Sequence, residues 1–205
     1  MRDRRLMALS ALLFSLLLAG LSPLTAGASS TPTRFGARLS HSTQADNGKT
    51  SCDASAHIHT GATCTWVAIQ AFENGDHQKA PKDGTIHHVR LISCVAGNVT
   101  IQVARKKSGR NKWKVVHSGP TIHYAADSQV GGCGGPSGDN FVVQSFPVQF
   151  SVQKGDYIAV RAKSIGFMHS SSSGPTLLFD PALSPGGSYV APDSAANDML
   201  IQFQY

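Results

Sequence analysis

The chain has 205 residues, 15% of them charged and 41% hydrophobic, with four cysteines, nine histidines and a formal net charge of +6. That length suits one domain with its own core, and nothing beyond the first 28 residues is apolar enough to span a bilayer. Past the same point Glu73 is the only glutamate, so a glycosidase-type carboxylate pair would need aspartates gathered from scattered loops.

The chain opens with Arg2, Arg4 and Arg5, an apolar run from Leu6 to Leu21, and Ala26-Gly27-Ala28. A basic start, an apolar stretch and an A-x-A pattern predict a signal peptide over 1–28, cleaved after Ala28, and a secreted protein without a transmembrane segment. The mature part then carries 15 basic and 11 acidic residues, a net charge of +4. Residues 29–51 are polar and predict a flexible N-terminal segment. A single β-sandwich domain is expected over 52–205.

All four cysteines, Cys52, Cys64, Cys94 and Cys133, lie in the mature part. An even count in an exported chain predicts two disulfides. Of the three connectivities, Cys52–Cys64 is favoured by sequence proximity, and Cys94–Cys133 would tie a strand end to a Gly-rich loop. No C-x-x-C spacing points to thiolate-bound zinc.

From Thr63 onward, short β-branched and aromatic runs alternate with Gly, Pro, Asn, Asp and Ser clusters. Val99, Ile101 and Val103 alternate with Thr100 and Gln102. Val148, Phe150 and Val152 do so with Gln149 and Ser151, and Ile158, Val160 and Ala162 with Ala159 and Arg161. Period two places each apolar set on one face of a strand. Eight or nine such strands and no sustained helical period predict an all-β, antiparallel β-sandwich or jelly roll. "FPVQFSVQKGDYIAVRA" (146–162) reads as a hairpin around Gln153–Asp156, with Pro147 marking an edge strand or a bulge. If Val89 and Leu91 face inward, a regular strand carries His87 in with them and leaves His88 beside Arg90 in solvent.

"APKDGTIHHVRLIS" (80–93), the 146–162 stretch and "NDMLIQFQY" (197–205) together resemble a group of exported bacterial, actinobacterial-type jelly-roll-like β-sandwich proteins without an assigned activity. The shared features are a Pro-x-Asp-Gly turn leading a strand and a V-x-x-GD-x-I turn. The resemblance implies an extracellular protein and brings no catalytic residues with it.

Charge is unevenly placed. Between Asp83 and Asp127 there is no acidic residue, yet that interval holds Arg90, Arg105, Lys106, Lys107, Arg110, Lys112 and Lys114. Six of these fall in "RKKSGRNKWK", with Trp113 on the return strand. Clustered cations displace counterions from a polyanion, and an aromatic ring can stack on a base or sugar. Arg105, Lys106, Lys107, Arg110, Lys112, Trp113 and Lys114 are therefore the candidate ligand-binding residues. The competing reading is a solvated hairpin whose lysines guard an edge strand. The expected partner is an anionic cell-wall polymer or polysaccharide, and nucleic acid is not the expected one. Aromatic-bearing loops near Tyr124, Phe167 and Tyr189 form a second candidate surface.

His57 and His59 share a strand face at i, i+2 spacing and are the candidate metal ligands, for zinc or copper. Asp127, Asp139, Asp180, Asp193 and Asp198 are candidates for a structural calcium ion. No G-x-S-x-G or H-E-x-x-H motif occurs. The expectation is a secreted, non-catalytic binding or cell-surface module with no cofactor. The alternative is a secreted metal-dependent or hydrolytic enzyme built on the histidines.

Overall fold

The computed structural model describes residues 33–39, 45, 48–52, 63–69, 77–126, 142–170 and 176–205. The expected signal peptide lies outside them. The elements are strands: β1 (Arg34–Gly36), β2 (Thr50–Ser51), β3 (Cys64–Ala68), β4 (Gly84–Leu91), β5 (Gly97–Lys106), β6 (Trp113–Tyr124) and β7 (Gln144–Val152). After them come β8 (Tyr157–Ala162), β9 (Ser164–Ile165), β10 (Met168–His169), β11 (Thr176–Phe179), β12 (Ser194–Ala196), β13 (Asp198–Met199) and β14 (Ile201–Gln204). Among the described residues no helix is long and apolar enough to cross a membrane.

One sheet has the order β1-β14-β4-β7 and the other β12-β11-β3-β8-β5-β6. Four antiparallel pairs nest inside one another in sequence: β1 with β14, β3 with β8, β4 with β7, and β5 with β6. Folding such a nested ladder into two layers produces a jelly roll. β11 and β12 widen the second sheet beyond β3, and the short ribbons β2-β9 and β10-β13 stand apart.

Period two decides what each sheet buries. Trp66, Val99, Ile101, Val103, Ile158 and Val160 turn inward to meet Ile86, Val89, Leu91, Phe150, Ile201 and Phe203. Phe203 sits at the centre, in edge-to-face contact with Phe35 at 5.5 Å and Phe150 at 5.2 Å; each such contact adds about 0.5–1.5 kcal/mol to the burial itself. The alternate residues Val67, Ala104, Val115 and Ala159 face outward and build a second apolar cluster with Trp113, Phe179 and Leu183. A strap following β11 covers this face, bridging Trp113 to Val190 and Val115 to Pro185. Its polar pin is Thr65, whose hydroxyl donates to Gln102 Oε1 at 3.0 Å and accepts from the Leu183 N–H at 3.0 Å.

Three expectations change. The 146–162 stretch is not a hairpin, because β7 pairs with β4 and β8 with β3 and β5, in opposite sheets. Alternation and a tight turn look alike whether the chain returns beside itself or crosses to the other layer. Pro147 does sit on an edge strand, opposite His88 near a register shift. Across that shift β7 advances three residues, Phe150 to Pro147, where β4 advances two, and alternation along β4 breaks beside it: Ile86 and Val89 both face the core and His87 is exposed. Finally, the sandwich begins before residue 52. Phe35 in β1 is only 1% exposed, and Leu39 and Ala45 pack on Ile92 and Leu200, apolar anchors in a mostly polar stretch.

The Cys52–Cys64 disulfide is present, with Cα atoms 5.8 Å apart, and joins the start of β3 to the short ribbon. Cys94 is also disulfide-bonded; Cys133 lies outside the described residues.

Gly36 shows how closely β1 is fitted. Its φ is +105°, and a Cβ there would stand 2.5 Å from both the Ile201 carbonyl oxygen and Ile158 Cδ1. Gly36→Ala is expected to lower stability by about 2 kcal/mol or more, through backbone strain plus overpacking. Chemical denaturation should show a lower midpoint at unchanged slope.

Candidate functional site

The basic stretch folds as a true hairpin. β5 and β6 pair up to Lys106 opposite Trp113, and the Lys107 N–H donates to the Lys112 carbonyl at 2.8 Å. Gly109, at φ +67°, makes the reversal. Alternation along β5 then divides the cations. Arg105 shares the inward parity of Val103, whereas Lys106 shares the outward parity of Ala104.

Arg105 therefore meets the sandwich end rather than solvent. Its Nε and Nη2 donate to Asp156 Oδ1 and Oδ2 at 2.7 and 3.0 Å. Asp156 is 2% exposed, and its Oδ2 also accepts the Gln153 N–H at 2.8 Å. The hydrogen bond to Asp156 raises the Arg105 pKa above its ordinary value. Of the seven sequence candidates, Arg105 is thus engaged in holding the β7–β8 turn.

Trp113 is likewise occupied. Only 2% exposed, it packs edge-to-face on Tyr157 at 4.8 Å and donates from Nε1 to Asn111 Oδ1 at 3.1 Å. A ring in that position offers no open face for stacking, and the reason is register: its parity puts it under the strap. The half-exposed ring beside the hairpin is instead Tyr189, with Lys107 Nζ at 5.7 Å and Lys114 Nζ at 5.0 Å from its centroid. Cations at such distances gain modestly from the ring quadrupole.

Lys106, Lys107, Arg110 and Lys112 are exposed. The first three line an open depression of about 580 Å3 with Lys79, Ser108, Gly109, Asn111, Gly155 and Tyr157. A neighbouring depression of about 500 Å3 shares Lys79 and Gly155 and adds His77 and Lys154. Lys79 and Lys154 arrive here because Ala80 N–H donates to the Asp156 carbonyl and Gly155 N–H to the Ala80 carbonyl, both at 2.8 Å. Sequence reasoning missed both lysines. The only signal was that Lys79 precedes the Pro81–Gly84 turn and Lys154 lies within Gln153–Asp156, and nothing in the chain says which turns meet.

Two carboxylates stand near this end. Asp156 is committed to Arg105, and Asp83 accepts the Lys154 N–H through Oδ1 at 2.6 Å. Among the described residues, the Arg105–Asp156 contact is the one ion pair. The basin is left strongly positive.

No family model, curated protein or solved structure matches this chain. Function therefore has to be read from geometry and charge.

The other candidates divide between buried residues and residues that are not described. Tyr124 and Phe167 are 3% and 0% exposed and pack edge-to-face at 5.3 Å, so they belong to the core and not to a sugar-binding surface. His57 and His59 lie outside the described residues, as do Asp127 and Asp139. Asp193 accepts the Asp180 N–H at 2.7 Å, and Asp198 is 7% exposed. Among the described residues no group of three or more His, Cys, Asp or Glu side chains is placed to hold a metal ion.

Removing the buried carboxylate tests the architecture of the basin. Asp156→Ala leaves Arg105 without a counterion and the Gln153 N–H without an acceptor. The expected loss is about 2–3 kcal/mol, below the range for fully buried pairs because Arg105 is a third exposed. Equilibrium unfolding reads it directly.

Proposed function

We propose that this protein is a secreted, non-catalytic binding module that recognises an anionic envelope polymer through the basin at the β5–β6 turn. Export comes from the reading of the N-terminal 28 residues. The observation that carries the binding role is that Lys79, Lys106, Lys107 and Arg110 line one open depression without an ion-pair partner among the described residues. Held apart by a rigid turn, these cations keep their charge in solvent and gain only when a polyanion supplies several negative groups at once. The nearby half-exposed ring, Tyr189, is already flanked by lysines, which favours charge over sugar stacking as the main source of affinity.

Replacing Lys106, Lys107, Arg110 and Lys112 together with Gln tests this reading. For a phosphate polymer, four contacts predict a plot of log K against log salt with a slope of roughly −3, since each contact contributes about −0.7 to −0.9. The quadruple variant should bind at least tenfold more weakly at low salt, with a much flatter slope. Its unfolding free energy should stay within about 0.5 kcal/mol of the parent, because all four side chains are exposed. Unchanged affinity and slope would remove the basin from the function.

A further inference from the structure

A second cationic arrangement lies on the outer face of the four-stranded sheet. Because Ile201 and Phe203 of β14 point into the core, Gln202 and Gln204 point away from it. Each is hydrogen-bonded to one arginine. Arg34 Nε, from β1 on one side, donates to Gln204 Oε1 at 3.1 Å, and Arg90 Nη1, from β4 on the other, donates to Gln202 Oε1 at 2.7 Å. Gln202 is 5% exposed and anchored in turn by donating from Nε2 to the Ala37 carbonyl at 2.9 Å.

The registers define the neighbourhood. One row across the sheet is Arg34, Gln204, His88 and Pro147; the next is Gly36, Gln202, Arg90 and Ser145. Neither row contains a carboxylate, and neither arginine makes an ion pair among the described residues. Two strand spacings and a two-residue offset put their Cα atoms about 12 Å apart, close enough for two extended guanidinium side chains to reach one group over β14. They sense each other: burial first, and then the charge of Arg34, pull the Arg90 pKa below its ordinary value. In the same row as Gln204, His88 has Nδ1 buried without a hydrogen-bond partner.

Two like charges fixed by neutral amides, with no counterion among the described residues, are unfavourable alone. Each guanidinium has five N–H donors and spends one on a glutamine, so donors remain for a ligand. Planar N–H forks match tetrahedral oxyanions well, through paired, charge-assisted bonds.

We propose that Arg34 and Arg90, positioned by Gln204 and Gln202, form a binding site for a single phosphate group on the outer face of the four-stranded sheet, separate from the hairpin basin. Gln202 and Gln204 are positioning residues, and His88 flanks the site.

The test is calorimetric titration of the purified protein with inorganic phosphate and, separately, with dimethyl phosphate, at low ionic strength. Saturable one-to-one binding is expected, weakened at least tenfold in Arg34→Gln and in Arg90→Gln. It should be kept in the quadruple Gln variant of the hairpin, so failure here and failure of the basin are distinguishable. Binding of both probes supports a site for diester groups within a polymer, and binding of inorganic phosphate alone supports a site for free phosphate or a monoester. Absence of saturable binding overturns the proposal, as does binding that survives both arginine substitutions or disappears with the hairpin lysines. Phosphate should also raise the unfolding midpoint of the parent but not of Arg34→Gln, whose edge-strand position keeps this readout usable if Arg90→Gln folds poorly.

Discussion

The Arg105–Asp156 pair is the contact on which this end of the molecule depends. Asp156 lies in a turn that carries the chain from one sheet to the other, and a carboxylate buried there needs compensation. Arg105 supplies it with two hydrogen bonds from the end of β5, and the Gln153 N–H supplies a third. The hairpin that bears the lysines is thereby locked to the β7–β8 turn. Through the Ala80 hydrogen bonds, the segment before β4 joins the same corner. Cations from three separate parts of the chain are gathered around a carboxylate that only one of them neutralises.

Edge protection is the competing explanation of this charge. β6 is the outermost strand of its sheet, and lysines on an exposed edge discourage pairing with another chain. Beside Lys112 and Lys114, however, that edge is already paired, since Trp113 exchanges both backbone hydrogen bonds with Val190, so edge protection accounts for neither lysine. It does not account for Lys106 and Lys107 at the end of β5, nor for Lys79 and Lys154, which belong to other segments and reach the same surface by tertiary contacts. A concave basic surface assembled from distant residues is better explained by an anionic partner than by the needs of one strand.

Much of the architecture was legible because period two survives along β5, β7 and β8. Val99, Ile101 and Val103 face the core as their spacing implies, and so do Ile158 and Val160. What the pattern concealed follows from two physical facts. Alternation fixes faces but not layers, so the 146–162 stretch looked like a hairpin while its strands pair in opposite sheets. One extra residue in β7 bulges its pairing with β4, and the alternation of β4 breaks there, which turned His87 outward. For the site, local sequence correctly placed the hairpin and its exposed lysines. Composition cannot show that Arg105 and Trp113 are committed inward, since that depends on Asp156 and on a strap some seventy residues away. Lys79 and Lys154, and the glutamine-held arginines of the other sheet, become visible only once register brings them together.

The most direct test of polyanion binding at this corner is to titrate the isotopically labelled protein with a short glycerol-phosphate oligomer and follow its backbone amides by NMR. Salt-reversible shifts are expected across residues 106–112 and at Lys79, Lys154 and Gly155. Saturation of binding without perturbation of those amides, or no binding at low salt, would contradict the assignment of the basin as the binding surface.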